Sequence, residues 1–551
     1  MLNLNILLPV AGTVLVYVLW AFVSRYIDWY KSSVSTIPGP PCRSWLYGNL
    51  RELRGEEPGV MLQRWAERYG HVFKFTGTMS AERVVMLDAK GINHILTHSH
   101  DYPKPEVASF HLSQIVGKGL LVVECEQHRK QRRILNPAFG PAQIRGVTDI
   151  FVEKARQLRD IWQTQVASAA GSSVQLDVVN GLNNMTLDVI GLAGFNYEFH
   201  SLNSENKPNE LRHAFDNMLR AVSGDGMSTL SLLQNYFPVL RIIPNQRATQ
   251  TDAAQQVARR IGMQLIAEKK AAILKAAAAS GDEKEISGKS LVDRDLLTLL
   301  IKANMSTDIP ESQRLSDEDM LAQVPTFLVA GHETTSTATA WCLFALAQSP
   351  GVQARLRAEL LDAPTEDPTM DELNALPYLD AVVRETLRVH APVSATVRIA
   401  GKDDVVPLDR PYVDTNGTVC DHIRAPKGTR FSIPIIAMNR SKDLWGADAN
   451  EFKPERWISG SVPEAAHHIP GVWGNLLTFL GGPRACIGYR FSLVEMKALL
   501  FMLIREFEFE LALPKEEITK LPGIVDRPFL KNDKKKGAML PLMVKAYSRT
   551  D

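Results

Sequence analysis

The chain has 551 residues, 45% of them hydrophobic, and its charged side chains balance to a net charge of +1. A chain of this length can form several domains or one large enzyme domain, and its near-neutral charge gives no reason to expect a nucleic-acid partner. The five cysteines are Cys42, Cys125, Cys342, Cys420 and Cys486, and no two of them form a C-x-x-C pair. This usage argues against a disulfide framework or a zinc site and favours a reducing compartment.

The N-terminal segment has the pattern of a membrane anchor. Residues 1–24 carry no charged side chain, and residues 6–23 are almost wholly apolar. As a helix this apolar stretch would be about 27 Å long, close to the hydrocarbon thickness of a bilayer. Arg25 and Lys31 follow it, so the positive-inside rule places the N-terminus in the lumen and the rest of the chain in the cytosol. We therefore predict a single-pass anchor with its flank over residues 1–30. A cleaved signal peptide is disfavoured, because no basic residue precedes the apolar stretch.

A proline-rich hinge and a large body follow the predicted anchor. Residues 31–45 include the run IPGPP, whose prolines stiffen an extended chain. In the body, residues 46–551, apolar residues recur mostly at helical spacing. The clearest predicted helices cover residues 152–166, 253–278, 317–348, 351–361, 370–388 and 491–507. Short strands are expected in a hairpin over residues 71–75 and 83–87, and otherwise only within 395–435 and 520–546. The expected fold is mainly α with a small β region.

The stretch FLGGPRACIG over residues 479–488 carries the strongest chemical signal. Cys486 offers a soft thiolate that suits iron. It also precedes a helix predicted to start at residue 489, whose N-terminus favours an anionic sulfur. Arg484 offers a permanent, forked cation for carboxylates, and the glycines allow a tight turn that can approach a flat ligand. A structural cysteine in a glycine-rich turn is the alternative, but it does not account for the full F-x-x-G-x-R-x-C-x-G spacing.

This spacing resembles the haem-ligand loop of the cytochrome P-450 family. The resemblance implies the cytochrome P-450 fold, haem b as the cofactor and Cys486 as the ligand of its iron. It also implies that Phe479, Arg484 and Gly488 bind the haem.

The hexapeptide AGHETT over residues 330–335 lies inside a long predicted helix. We expect Gly331 to open one face of this helix, and Thr334 to bond back to a backbone carbonyl and kink it. A carboxylate beside a hydroxyl can pass protons inward through water. The hexapeptide resembles the family's oxygen-activation motif, which assigns catalytic roles to Glu333 and Thr334. The family varies at the position of His332, so we do not expect this residue to bind a metal.

Residues 127–139, QHRKQRRILNPAF, place a histidine and an arginine four positions apart. The resemblance makes His128 and Arg132 partners of the haem propionates, although His128 stands where the family often has tryptophan. Arg398 matches a further propionate-binding arginine. Several cations suit two buried carboxylates.

The same stretch also carries Arg129, Lys130 and Arg133. These residues form either an ordinary solvated basic face or a docking patch for an acidic electron donor. We favour the docking patch.

Two further motifs predict a buried ion-pair network. Glu385 and Arg388 lie three positions apart on a predicted helix and so share a face. The run FKPERW over residues 452–457 adds Arg456. Each motif alone would suit a surface salt bridge, but the resemblance joins the three residues in a buried network that braces the Cys486 loop. Buried charges need such complete pairing.

Taken together, the motifs resemble a membrane-anchored, eukaryotic monooxygenase of this family, with a fungal style of sequence. The resemblance implies insertion of one oxygen atom from O2 into a lipophilic small molecule, at the cytosolic side of the endoplasmic reticulum membrane. The chain has no Walker A or G-x-G-x-x-G fingerprint, so the electrons of NADPH must come through a partner. The partner implied is NADPH–cytochrome P-450 reductase, with cytochrome b5 as a further candidate donor.

The substrate is the least determined part of this prediction. By analogy with the family, substrate contacts fall in residues 104–120, 218–243, 326–334, 391–397 and 523–530. These stretches are mostly apolar, and a terpenoid or another fungal secondary metabolite is the leading class. Two alternatives remain: an enzyme that isomerises or dehydrates peroxides without a reductase, and a non-enzymatic haem sensor or carrier. The intact Glu333–Thr334 pair disfavours both.

Overall fold

The structure is a computed structural model of the full chain. It describes residues 33–169, 173–203, 209–214, 246–280, 294–305, 310–458, 460–521, 523–533 and 536–548, and the isolated positions 9, 12, 13, 16, 17, 19, 20, 23, 234 and 240. Most of the predicted anchor and the predicted contact segment 218–243 lie outside the described residues. Within the described ranges, no helix is both long and apolar enough to cross a bilayer.

The body is mainly helical, as predicted. Its α-helices in chain order are α1 (Leu50–Gly55), α2 (Val60–Tyr69), α3 (Ala89–Thr97), α4 (Glu106–Val116), α5 (Cys125–Leu135), α6 (Pro141–Ser168), α7 (Val178–Phe195), α8 (Gln246–Ser280), α9 (Leu296–Met305), α10 (Asp317–Leu321), α11 (Gln323–Ala347), α12 (Pro350–Asp362), α13 (Met370–Asn374), α14 (Pro377–Val389), α15 (Ile435–Asn439), α16 (Lys442–Trp445) and α17 (Tyr489–Glu506).

The strands form small sheets at the edges of the helical core. They are β1 (Val72–Thr76), β2 (Glu82–Met86), β3 (Ser173–Asp177), β4 (Thr396–Ile399), β5 (Asp404–Val413), β6 (Val419–Ala425), β7 (Arg430–Ile433), β8 (Phe507–Leu511), β9 (Ile518–Leu521), β10 (Arg527–Leu530) and β11 (Pro541–Ala546). One sheet has the order β1-β2-β7-β4, with only the β2–β7 pair parallel. A second has the order β3-β11-β8, and β5–β6 and β9–β10 form two-stranded antiparallel ribbons.

The predicted helices are present with shifted ends. The range 317–348 contains two helices, α10 and α11, and the range 370–388 contains α13 and α14. Pro377 occupies the first turn of α14, where its missing N–H breaks no helical hydrogen bond, and so it separates the two helices.

Two strands fall outside the predicted strand ranges, and that part of the prediction was wrong. Both β3 and β8 pair with β11 in an antiparallel sheet. The predicted helix 491–507 therefore ends at Glu506, because Phe507 already belongs to β8.

The proline-rich segment is packed onto the body. Val34 and Ile37 are buried, and the amide of Lys74 on β1 donates a 2.8 Å hydrogen bond to the carbonyl of Pro38. The chain is therefore joined to the body from Val34 onwards, within the segment predicted as a hinge.

Helix α11 runs through the core, and its neighbours position the site. It packs on α7, where the Thr186 hydroxyl donates a 3.1 Å hydrogen bond to the carbonyl of His332. It also contacts α17, the helix that follows Cys486. Helix α17 packs on α6 through the rings of Phe151 and Phe491, whose centroids lie 4.6 Å apart in an edge-to-face arrangement. The predicted ligand loop and the predicted relay helix are thus held by the same core.

Candidate active site

The Cys486 loop has a fixed backbone. Cys486 lies between a short 3-10 turn, Gly482–Arg484, and the start of α17. Its amide donates a 2.8 Å hydrogen bond to the carbonyl of Phe479, which closes the loop on itself. Gly482 has φ +67°, and a Cβ there would lie 2.5 Å from the carbonyl oxygen of Leu96. The loop therefore requires glycine at this position, both for its conformation and for its close approach to α3.

Cys486 is an exposed residue, although protein surrounds its thiol. Burial raises the pKa of its thiol, while the Gly488 N–H, which hydrogen-bonds to the sulfur, and the nearby Arg132 both lower it. The Gly488 N–H favours the anionic sulfur, but burial has the larger effect on the pKa of the thiol.

Two arginines hold the Cys486 loop against the neighbouring chain. Arg132 on α5 donates a 2.6 Å hydrogen bond from Nη1 to the carbonyl of Ala485. Arg484 donates a 2.7 Å hydrogen bond to the carbonyl of Val123 and forms an ion pair with Glu124. The predicted cofactor-binding residues of α5 and of the Cys486 loop therefore lie together.

Two further basic side chains join this group. Lys104 forms a 2.7 Å ion pair with Glu124. Arg398 on β4 is buried and donates hydrogen bonds of 2.7 Å to the Thr396 hydroxyl and the Val397 carbonyl. Burial, together with the nearby cation of Arg484, lowers the pKa of Lys104 to about 8. Burial also lowers the pKa of Arg398 to about 10, although the carboxylate of Glu124 opposes this shift.

We call Lys104, Arg132, Arg398 and Arg484 the basic cluster. Glu124 is the one carboxylate that pairs with it among the described residues. His128 is buried beside the cluster, and burial, with help from its cations, lowers the pKa of this imidazole to about 3, so it is neutral at pH 7. Uncompensated positive charge inside a protein is unfavourable. The cluster therefore fits a ligand that brings two carboxylates, as haem b does.

Sequence reasoning missed two members of this arrangement. Lys104 was assigned to a substrate-contact segment, and Glu124 was given no role. Glu124 immediately precedes α5 and Lys104 precedes Pro105, but neither pattern predicts their pairing across twenty residues of chain.

Glu333 and Thr334 lie in the middle of α11, and the Thr334 hydroxyl donates a 2.7 Å hydrogen bond to the Ala330 carbonyl, as predicted. Ala330 is exposed and Thr334 half-buried, whereas most of α11 is buried. These two residues thus form an accessible strip, one helical turn apart.

Gly331 does not open this face: a Cβ there would lie 2.9 Å from the side chain of Ile190 on α7. Its role is to allow close packing of the two helices.

The carboxylate of Glu333 has a partner that the sequence did not predict. Arg527, the first residue of β10, places Nη2 2.7 Å from Oε1 of Glu333. Glu333 and Thr334 therefore bond to different partners, one to β10 and the other to its own helix.

A second buried carboxyl lies between α11 and α17. Glu495 is fully buried, and neither of its carboxyl oxygens has a hydrogen-bond partner in the part of the chain that the structure describes. Burial raises the pKa of this carboxyl well above its ordinary value, while the nearby Thr335 hydroxyl opposes the shift. Thr335 itself donates a 3.1 Å hydrogen bond to the Ser492 hydroxyl on α17. Glu495 is therefore a buried carboxyl whose surroundings favour its protonated form, and sequence reasoning missed it.

The predicted ion-pair network is present and buried. Arg388 binds both carboxylate oxygens of Glu385, at 2.8 Å from Nε and 2.7 Å from Nη2. Arg456 lies 3.7 Å from Glu385 and forms a closer pair, 2.9 Å, with Asp448. The Trp457 ring N–H donates a 3.0 Å hydrogen bond to Glu385. The network is thus fuller than predicted, through Asp448 and Trp457.

Hydrogen bonds connect this network to the chain just before Phe479. Arg388 donates to the carbonyl of Asn439 at 3.0 Å, and the Asn439 side chain accepts from the Leu477 amide at 3.1 Å. Asn439 also donates to the Thr478 hydroxyl at 2.8 Å. The network is therefore placed to brace the Cys486 loop.

The predicted docking patch lies on the outer face of α5. The Arg129 side chain is 79% exposed and pairs with Glu126 at 3.2 Å. Lys130 donates to the Ser312 carbonyl at 3.3 Å, and Arg133 donates to the side chain of Gln313. Arg129 is thus the most available cation of the three, while the other two also contact the 310–314 segment.

Comparisons with known proteins identify the family of the chain. The sequence matches the model of the family described as Cytochrome P-450 over residues 38–532. Cytochrome P-450 monooxygenases 205 and 128 of Postia placenta are 56% and 57% identical to the chain, over 98% and 94% of both sequences. A ganoderic acid synthetase of Ganoderma lucidum is 34% identical over 98% of the chain and 99% of its own length. The chain therefore belongs to the cytochrome P-450 family and is similar to its fungal monooxygenases.

Proposed function

We propose that the protein inserts one oxygen atom from O2 into a lipophilic small molecule, with electrons from NADPH that arrive through NADPH–cytochrome P-450 reductase. The observation that carries the proposal is the position of Cys486, which lies between Ala485, bound by Arg132 of the basic cluster, and the start of α17. Haem b, when bound, supplies oxygen activation at a thiolate-ligated iron.

The chain's own residues fit a haem in detail. Cys486 is the proposed iron ligand, and the Gly488 N–H favours its thiolate form. Arg132, Arg398 and Arg484 are the proposed propionate partners, with His128 as a neutral hydrogen-bonding neighbour. Phe479 is buried and packs edge-to-face on Trp473, with ring centroids 5.8 Å apart, so it gives the loop an apolar wall.

The accessible strip of α11 supports a proton relay. We propose that the Glu333 carboxylate takes a proton from water and that the Thr334 hydroxyl holds the water through which it passes inward. Thr334 is half-buried on this strip, and Glu333, its neighbour in sequence, is buried.

The proposed substrate class is a terpenoid or another fungal secondary metabolite. Its support is the apolar composition of the segments assigned to substrate contact and the similarity to a protein named for ganoderic acid synthesis. A mostly apolar pocket suits lipophilic molecules in general, so product analysis must decide the compound.

The proposed location is the endoplasmic reticulum membrane, with residues 1–30 as a single-pass anchor. The described positions of the apolar stretch support it: Val16 and Trp20 are helical and 66% and 65% exposed. Apolar side chains in such positions are stable when lipid covers them. The reductase would then bind the body from the cytosolic side, at Arg129 and its basic neighbours. Cytochrome b5 is the second candidate donor for the same surface.

Two assays test this function together. The reduced protein with carbon monoxide should show thiolate-type absorption, and oxygen uptake should require both NADPH and reductase. Peroxide conversion without reductase would favour an isomerase or dehydratase instead, and a haem spectrum without oxygen uptake would favour a sensor or carrier. A screen of lipophilic compounds for shifts of the haem Soret band, followed by product analysis, then identifies the substrate.

A further inference from the structure

The ion pair between Arg527 and Glu333 connects two parts of the protein that are far apart in sequence. Glu333 lies in the middle of α11, and Arg527 starts β10, inside the 523–530 segment. Their side chains are 6% and 20% accessible, so the pair is largely shielded from solvent. A carboxylate buried to this degree is costly without a partner, and Arg527 supplies one at 2.7 Å.

The backbone around Arg527 is itself anchored. The carbonyl of Asp526 accepts a 2.9 Å hydrogen bond from the ring N–H of Trp341, two turns further along α11. The amide of Asp526 donates a 2.8 Å hydrogen bond to the carbonyl of Pro392, which follows α14. The start of β10 is thus tied to the same helix that carries Glu333. The Arg527 guanidinium therefore has a defined position relative to the Glu333 carboxylate.

The Arg527 guanidinium also has a hydrogen-bond donor that is not engaged by the described residues. Its Nε atom is buried and has no hydrogen-bond partner among the described residues. The planar fork of arginine can bind both oxygens of a carboxylate, whereas a lysine acts as a point charge. Arg527 can therefore follow Glu333 through a small rotation and still keep a hydrogen bond to it.

We propose that Arg527 is a positioning residue for proton delivery: it sets the orientation of the Glu333 carboxylate and so ties the relay to the position of the 523–530 segment. This proposal rests on the proposed function, because it assumes that Glu333 passes protons. In each proton transfer, Glu333 gains one proton from the solvent and gives it up inward, and so returns to the carboxylate that Arg527 binds; two such transfers supply the two protons that one turnover consumes. Arg527 keeps its own proton throughout.

The first test asks whether the ion pair exists in solution. The infrared difference between the wild-type holoenzyme and Glu333→Gln identifies the carboxylate stretch of Glu333. Arg527→Gln should shift this band, because the carboxylate loses a hydrogen-bonded cation. Lys531→Gln, which removes an exposed cation just beyond β10, should leave the band in place. An unmoved band in Arg527→Gln would overturn the proposal without reference to activity.

The second test asks whether Arg527 acts through Glu333. In reductase-supported NADPH oxidation without added substrate, Arg527→Gln should raise the fraction of consumed oxygen that leaves as peroxide by about threefold, less than the loss of a catalytic acid would. The solvent deuterium isotope effect on NADPH oxidation should rise as well. Arg527→Lys should restore part of both, because it keeps the charge but loses the fork.

A double-mutant cycle separates positioning from general damage. In the Glu333→Gln background, Arg527→Gln should cause no further change in peroxide release, because the group that it positions is already gone. Additive effects would overturn the proposal.

If Arg527→Gln does not fold, the same cycle is run with Arg527→Lys. If the wild-type protein shows no NADPH-dependent oxygen uptake, the proposed function fails, whereas the infrared test still decides the ion pair.

Discussion

Arg132 donates a 2.6 Å hydrogen bond from Nη1 to the carbonyl oxygen of Ala485, the residue immediately before Cys486. Its Nε donates at 2.8 Å to the side chain of Asn136, so the guanidinium is fixed on both sides. One side chain of α5 thereby holds the backbone of the ligand loop and contributes a cation to the basic cluster. The electrostatics and the geometry of the site depend on the same residue.

The first prediction follows from this double role. Arg132→Gln should weaken haem retention and lower the free energy of unfolding of the holoprotein by about 2 kcal/mol, the usual contribution of a charged hydrogen bond. Arg133→Gln is the matched control, because Arg133 contacts Gln313 rather than the loop. Haem titration and thermal unfolding measure both effects, and equal behaviour of the two variants would contradict the assignment.

Thr334→Ala should uncouple oxygen consumption from product formation. The hydroxyl is lost from the accessible strip of α11, while its hydrogen bond to Ala330 lies within the helix and is not needed for folding. Peroxide released per NADPH should rise about tenfold, and the haem spectrum should stay the same. Thr334→Ser, which keeps a hydroxyl, should behave nearly as the wild type. Unchanged coupling in Thr334→Ala would argue against the relay.

Reversal of charge at Arg129 and Lys130 should slow electron delivery. Replacing both with Glu puts negative charge on the outer face of α5, where Arg129 is largely exposed. Reductase-supported reduction, trapped by carbon monoxide, should slow about tenfold at low salt and less at high salt, because charge mainly steers encounter. Reduction by dithionite is the control and should not change. A loss in both would mean that this face serves folding or haem retention instead.

Glu495 predicts a specific pH dependence of stability. Burial holds the pKa of its carboxyl well above the ordinary value of 4.5, so the folded state keeps its proton at a pH where the unfolded state releases it. This residue therefore makes no difference to stability below pH 4.5 and increasingly destabilises the fold as pH rises from there towards its folded-state pKa. Glu495→Gln removes the ionisation, so its stability relative to the wild type should increase between pH 5 and pH 8. A difference that is constant across denaturant titrations at several pH values would contradict this.

The features that could be predicted from sequence are those whose partners are close along the chain. The Cys486 loop, the Glu333–Thr334 pair and the Glu385–Arg388 pair each bring their chemistry within ten residues. The helices were predicted because their apolar residues repeat at helical spacing over enough turns to be recognised. Their ends moved where a proline starts a new helix, as at Pro377.

The features that were missed depend on contacts between distant segments. Arg527 meets Glu333 and Lys104 meets Glu124 only after the fold is complete, and no local pattern signals either pair. Glu495 looks like any glutamate on a helix until its neighbours bury it. Strand β8 is a different case: its sequence, FEFEL, alternates strictly, and that signal was available but was overridden by the preceding helix.

The most direct test of the account is the spectrum of Cys486→Ala in the reduced, carbon monoxide-bound state. Cys42→Ala, which removes an exposed cysteine far from the basic cluster in sequence, is the control, and Cys486→His keeps a ligand to iron without a thiolate. The account predicts thiolate-type absorption in the wild type and in Cys42→Ala, and its loss in both Cys486 variants, even where haem is retained. Thiolate-type absorption together with NADPH-dependent oxygen uptake in Cys486→Ala would contradict it.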